Sequence, residues 1–130
     1  MKPQKRNTIT ITIRKPPAYV FSYVLDPKNT PKWLDSILEE QAEGWPPGEG
    51  TVYRNRNREG AWNEYTVTSF EADKTFVMKK ADGNYHVQYT MRPAGEADTE
   101  LEYYEWVIRG TLEDPFTRET LEKLKACLEG

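Results

Sequence analysis

The chain has 130 residues, the size of one domain, with a formal net charge of −3 and acidic and basic side chains interspersed. That balance leaves no electrostatic footprint for nucleic acid or an anionic membrane, and no apolar run is long enough to span a bilayer. The one cysteine, Cys127, excludes an internal disulfide; with no apolar signal-peptide core at the N-terminus, it makes a cytoplasmic protein the expectation. A chain of this size buries roughly two-thirds of its unfolded surface, and most of its sixteen aromatic residues are needed inside.

Residues 1–6 read as a flexible polar tail. The strict alternation Thr8-Ile9-Thr10-Ile11-Thr12-Ile13 predicts a strand over 7–14 with the isoleucines on its buried face. Pro16 and Pro17 suit the first turn of a helix, where a missing N–H costs nothing, and Val20, Phe21, Val24 and Leu25 form its apolar face. Asp26-Pro27 ends that helix. Thr30 is placed to cap a second, very short one, with Pro31 at its first position and Trp33 and Leu34 turned inward.

From 36 to 110 the pattern is a series of strands. Ile37-Leu38-Glu39-Glu40-Gln41 leads into the rigid loop Trp45-Pro46-Pro47-Gly48-Glu49-Gly50. Thr51–Arg58 and Trp62–Phe70 form a hairpin about Glu59-Gly60-Ala61, and Thr75–Lys80 and Tyr85–Arg92 form another about Asp82-Gly83, a strong two-residue turn signal. Thr99–Arg109 is the longest strand of what reads as an antiparallel meander. A last helix is expected over 115–128, capped by Asp114, with Pro115 at its first position; Leu121, Leu124 and Leu128 share one face, with Cys127 beside them.

Hairpin register divides the strand residues between faces. The Asp82-Gly83 turn sets Phe76 and Met78 opposite Tyr89 and Val87 on the inner face, with His86, Gln88 and Thr90 outside. Centring the earlier hairpin on Gly60 pairs Tyr53 with Val67, Asn55 with Tyr65 and Asn57 with Asn63. Arg54, Arg56 and Arg58 then lie outside, giving an Arg56–Glu64 pair and an Arg58–Trp62 stack. A two-residue turn at Glu59-Gly60 breaks this matching. The last strand has two solutions. Continuous pairing places Leu101, Tyr103, Glu105 and Val107 inside, whereas a bulge near Tyr104 turns Trp106 and Ile108 inward and releases Glu105 to water.

The order of strand, two small helices, meander and final helix resembles the START-like or helix-grip (SRPBCC) superfamily, in its polyketide cyclase/dehydrase-like branch. The resemblance rests on Pro17-Ala18-Tyr19-Val20-Phe21 with Asp26-Pro27 and Trp33, Gly50-Thr51, Val67-Thr68-Ser69-Phe70, Thr99-Glu100-Leu101 and Leu121-Glu122-Lys123-Leu124-Lys125. It covers residues 8 to 128 and speaks for fold more than activity, because these are mostly packing residues. It implies an α+β domain in which a seven-stranded curved antiparallel sheet grips the C-terminal helix with a cavity between them. The short last helix implies a cavity that is small or open at one end.

Inside such a cavity Tyr53, Asn55, Asn63, Tyr65, Tyr89 and Tyr103 would be polar tips among apolar groups, suited to orienting a carbonyl or hydroxyl. Met78 would line it and Trp33 would cap its mouth. The plainer reading is ordinary core tyrosines and a satisfied pair of hairpin asparagines. Glu105, if inward, would be a desolvated carboxyl able to serve as acid, base or hydrogen-bond anchor; if beside a bulge, it is a solvated glutamate. His86 is the only histidine. It faces out by parity, and one histidine cannot make the usual zinc site. No cofactor or metal is implied.

Three functions follow. The first is a binding module for a small, mostly apolar, aromatic or lipid-like molecule. The second, which the resemblance implies, is a polyketide cyclase/dehydratase-like enzyme using Glu105 with Tyr and Asn groups. The third, implied in the same way, is an interaction module of the chaperone- or ribosome-modulating type, presenting Tyr104, Trp106 and Ile108 outside. Exposed aromatics on that strand would also suit a homodimer.

Overall fold

The Ile/Thr alternation forms the first strand, β1 (Arg6–Ile13), in a computed structural model that describes residues 4–130. It is followed by α1 (Pro17–Leu25), α2 (Thr30–Trp33), β2 (Ile37–Glu43), β3 (Val52–Asn57), β4 (Trp62–Glu71), β5 (Thr75–Lys80), β6 (Tyr85–Pro93), β7 (Thr99–Val107) and α3 (Arg118–Glu129). The seven strands make one antiparallel sheet in the order β1-β7-β6-β5-β4-β3-β2, so the first strand closes onto the last and β2 is the far edge. This is the expected α+β helix-grip arrangement. Of the expected tail, residues 1–3 lie outside the described residues. Gln4 and Lys5 accept backbone hydrogen bonds from Leu112 (2.8 Å) and Val107 (3.0 Å), and Arg6 already belongs to β1.

The core lies on the concave face. Ile11 and Ile13 of β1, Val20, Phe21, Val24 and Leu25 of α1, and Leu121, Leu124 and Leu128 of α3 are all buried there. Phe21 meets Phe70 and Phe76 edge-on, at 5.4 and 5.7 Å between ring centroids. A bulge at Thr68 in β4 resets the alternation, so that Val67 and Phe70, three residues apart, both reach this core.

The β5–β6 hairpin has the expected register, Met78 opposite Val87 and Phe76 opposite Tyr89. The β3–β4 hairpin is a correction: Tyr53 pairs with Tyr65 and Asn55 with Asn63. Its loop is 58–60, because the Asn57 side-chain oxygen accepts the N–H groups of Glu59 and Ala61 and Gly60 takes a left-handed φ of +87°. The slip is two residues, so every side chain stays on its expected face. The ion pairs move with it: Arg54 pairs with Glu64 (3.0 Å), Arg56 with Glu39 (3.0 Å), and Arg58 donates to the Asp35 carbonyl in place of the expected stack on Trp62.

The last helix also starts later than expected, at Arg118. The peptide groups of Phe116 are engaged elsewhere, its N–H by the Glu105 carboxylate (2.7 Å) and its C=O by Asn7 Nδ2 (2.9 Å). Asp114-Pro115-Phe116 is therefore held as a loop against the sheet, not as a first helical turn.

Candidate functional site

Between the concave face, α2 and the Phe116 loop is a cavity of about 150 Å3, open on one side. Tyr89 is central to its wall. Its ring stacks on Phe76 (4.9 Å) and meets Tyr103 (5.1 Å) and Trp33 (6.5 Å) edge-on. Phe116 stacks on Tyr103 at 4.0 Å, and Met78 and Val87 complete the apolar surface. The polar lining comes from Thr30, Ser36, Glu40, Asn55 and the tyrosines.

Glu40 reaches this cavity because of a bulge in β2. Ile37 pairs with Asn57 but Glu39 with Arg56, so Leu38 is the extra residue and is pushed toward solvent. The alternation resets, and Ile37 and Glu40 both line the cavity. Glu40 Oε1 accepts from Thr30 Oγ1 (2.6 Å) and Oε2 from Asn55 Nδ2 (3.2 Å). Desolvation raises its pKa above the ordinary glutamate value, the two hydrogen bonds opposing only in part. Thr30 thus serves Glu40 and not the expected helix cap; Asn29 occupies the cap position without a side-chain bond. Two buried polar atoms at the site have no hydrogen-bond partner: Asn55 Oδ1 and Trp33 Nε1. Burial, reinforced by the Glu40 charge, pushes the Tyr65 hydroxyl up to about 12 and that of Tyr89 well above its ordinary value.

Of the residues expected at the cavity, Trp33, Asn55, Tyr65, Met78, Tyr89 and Tyr103 line it. Tyr53 and Asn63 do not. Tyr53 is buried with its hydroxyl donating to the Leu25 carbonyl (2.6 Å), a last-turn carbonyl of α1 that has no partner within the helix. Asn63 pairs with Asn55 across the ladder, but only Asn55 of the two lines the cavity.

Glu105 points inward, since β7 runs without a bulge and pairs Glu105 with Val87. It is 1% exposed and surrounded by donors. Oε1 accepts from Tyr85 (2.6 Å) and Tyr103 (3.3 Å), and Oε2 from Asn7 Nδ2 (2.9 Å) and Phe116 N–H (2.7 Å). It lies behind the main cavity, on a second hollow of about 270 Å3 that shares Tyr65 and Tyr85 with the first. What it holds is the cavity wall: Phe116 by its peptide, Tyr85 and Tyr103 by their hydroxyls.

On the convex face His86 and Tyr104 both stack against Trp106, each at 4.9 Å, and Ile108 is 60% exposed. Cys127 is partly buried beside the core, its Sγ 3.7 Å from the Lys32 carbonyl. Among the described residues no three His, Cys, Asp or Glu side chains gather where they could hold a metal ion. Sequence reasoning missed Glu40. The available signal was the adjacent pair Ile37-Leu38, which strict alternation cannot accommodate on one face of an edge strand.

Residues 5–129, nearly the whole chain, match the family described as polyketide cyclase / dehydrase and lipid transport. The chain belongs to that family. No curated protein matches it. Among solved structures, this polyketide cyclase-like chain is similar to XoxI from Bacillus cereus (13% identity, 97% of this chain and 96% of that one, TM-score 0.75). It is also similar to a START superfamily protein from Mycobacterium smegmatis (17% identity, 96% and 94%, TM-score 0.72). The Aha1 dimer from Colwellia psychrerythraea is a third (15% identity, 83% and 80%, TM-score 0.63). At these identities the likeness speaks for the fold. Among the described residues no helix is long and apolar enough to cross a membrane.

Proposed function

We propose that this polyketide cyclase-like protein binds a small, mostly apolar molecule of aromatic size in the cavity framed by Trp33, Tyr89 and Phe116. One observation carries the reading: an aromatic-walled cavity of about 150 Å3 into which only a few polar groups converge. A space of roughly that volume accepts one benzene-sized ring, which favours an aromatic ligand over a long acyl chain. Asn55, Tyr65 and Tyr89 supply the orienting groups, with Met78 and Tyr103 as packing surface. Catalysis through Glu105 has less support, because its carboxylate already receives four protein donors and lies outside the main cavity.

The test is a thermal-shift and calorimetric screen of single-ring ligands such as phenol, indole and benzyl alcohol. At a hundredfold excess over Kd a true ligand adds about 2.7 kcal/mol of stability. Met78→Trp, which fills the cavity, abolishes the shift. If no ring-sized compound raises Tm, or if Met78→Trp responds like the unmodified protein, the reading fails.

A further inference from the structure

The cavity has one formal charge and it is negative. Glu40 lines it; among the described residues no lysine, arginine or histidine does. The arginines nearest in the ladder are spent on the convex face, Arg54 on Glu43 and Glu64 and Arg56 on Glu39. Glu40 is left with two neutral donors, Thr30 and Asn55. The other titratable groups that feel its field are Tyr53, Tyr65 and Tyr89. All three are pushed upward, so they remain neutral hydroxyls at physiological pH.

Next to this carboxylate is an acceptor with nothing to accept. Asn55 is 7% exposed and turns its amide nitrogen to Glu40, which leaves Oδ1 buried without a donor. The surrounding walls are aromatic, from Trp33, Phe76, Tyr89, Tyr103 and Phe116, and offer no positive charge of their own. An anion could draw donors from Trp33 Nε1 and from the Tyr65 and Tyr89 hydroxyls, but only against the repulsion of Glu40.

Resting on the ring-binding reading above, we propose that the ligand is a small aromatic amine carried as its ammonium ion, with the charge at Glu40 and Asn55 and the ring among Trp33, Tyr89 and Phe116. The ammonium supplies what the corner lacks: a counter-charge for Glu40 and N–H donors for the spare acceptors. A neutral hydroxylated ring gains the apolar wall and a hydrogen bond, but brings no counter-charge for Glu40. A carboxylated one meets a like charge across a desolvated gap.

Benzylamine, benzyl alcohol and benzoate share one ring and differ in charge, so calorimetric titration of the three at pH 7 tests the proposal. Benzylamine is expected to bind at least about tenfold tighter than benzyl alcohol, and benzoate the weakest. In Glu40→Gln the amine's advantage over benzyl alcohol falls below about threefold. On the unmodified protein the advantage shrinks as pH falls and Glu40 takes up its proton, a readout that needs no variant. Equal or tighter binding of benzyl alcohol or benzoate overturns the amine proposal and leaves the ring-binding reading standing. So does an amine preference that survives Glu40→Gln or ignores pH. Binding of none of the three removes the ring-binding reading and the amine proposal with it.

Discussion

Glu40 and Glu105 project from the same face of the same sheet, yet the fold surrounds them in opposite ways. Glu105 is on β7, inside the sheet, where β1, β6 and the Phe116 loop converge. Four donors reach it, and no acceptor direction is left for a visitor. Glu40 is on the edge strand β2, with two donors and a cavity in front of it. A buried carboxylate is structural in proportion to the donors the fold aims at it. What remains unsatisfied is what a ligand can use.

Removing the saturated group tests the strongest side of that contrast. Glu105→Ala strands the Phe116 N–H, takes an acceptor from Asn7 and from the Tyr85–Tyr103 hydroxyl pair, and leaves a void in the interior, and a loss of about 3 kcal/mol is expected in urea unfolding. A loss under about 1 kcal/mol would mean that the four contacts contribute little. The unsaturated group predicts the opposite sign. Burial raises the Glu40 pKa, so the native state keeps its proton to higher pH than the unfolded chain. The associated stability is full below the ordinary glutamate value near 4.5 and is lost as pH rises through the folded pKa. Glu40→Gln removes that loss and can satisfy Asn55 Oδ1 after an amide flip. It is expected to be more stable than the parent by about 1 kcal/mol at pH 7, with the gap closing toward pH 4. A gap that widens on acidification would reverse the assignment. The smallest effect is expected on the convex face. Arg54→Ala breaks pairs with Glu43 and Glu64 that are open to water, and a change below about 0.5 kcal/mol, fading further in salt, is the expectation.

The two glutamates also mark how far the sequence could be read. Glu105 shares a row with Leu101, Tyr103 and Val107, and pairing that row against Met91, Tyr89, Val87 and Tyr85 puts it inside; the sequence leaves this one of two solutions, and the absence of a bulge in β7 decides between them. Its partners were not readable. Asn7 is 98 residues away and Phe116 belongs to a segment whose pattern reads as helix. Glu40 was hidden by a single extra residue at Leu38, since a bulge inverts every parity assignment beyond it. The β3–β4 hairpin makes the complementary point. Its register was off by two and its faces were still right, because a slip of two preserves what a slip of one destroys. Burial of Tyr53 was legible, but the carbonyl that claims its hydroxyl belongs to another element.

Phe116 is fixed through its own peptide, with Glu105 and Asn7 gripping the N–H and the C=O, while its ring leans on Tyr103 and meets Trp33 edge-on. Placement and shape are therefore encoded separately: the main chain sets where this wall stands, and the side chain sets how far it protrudes. A smaller residue at 116 would enlarge the chamber without unfastening the loop, and a polar one would re-tune its chemistry from the same mount. The fold carries an exchangeable tooth in a fixed socket, a means for one scaffold to change its guest by a single substitution.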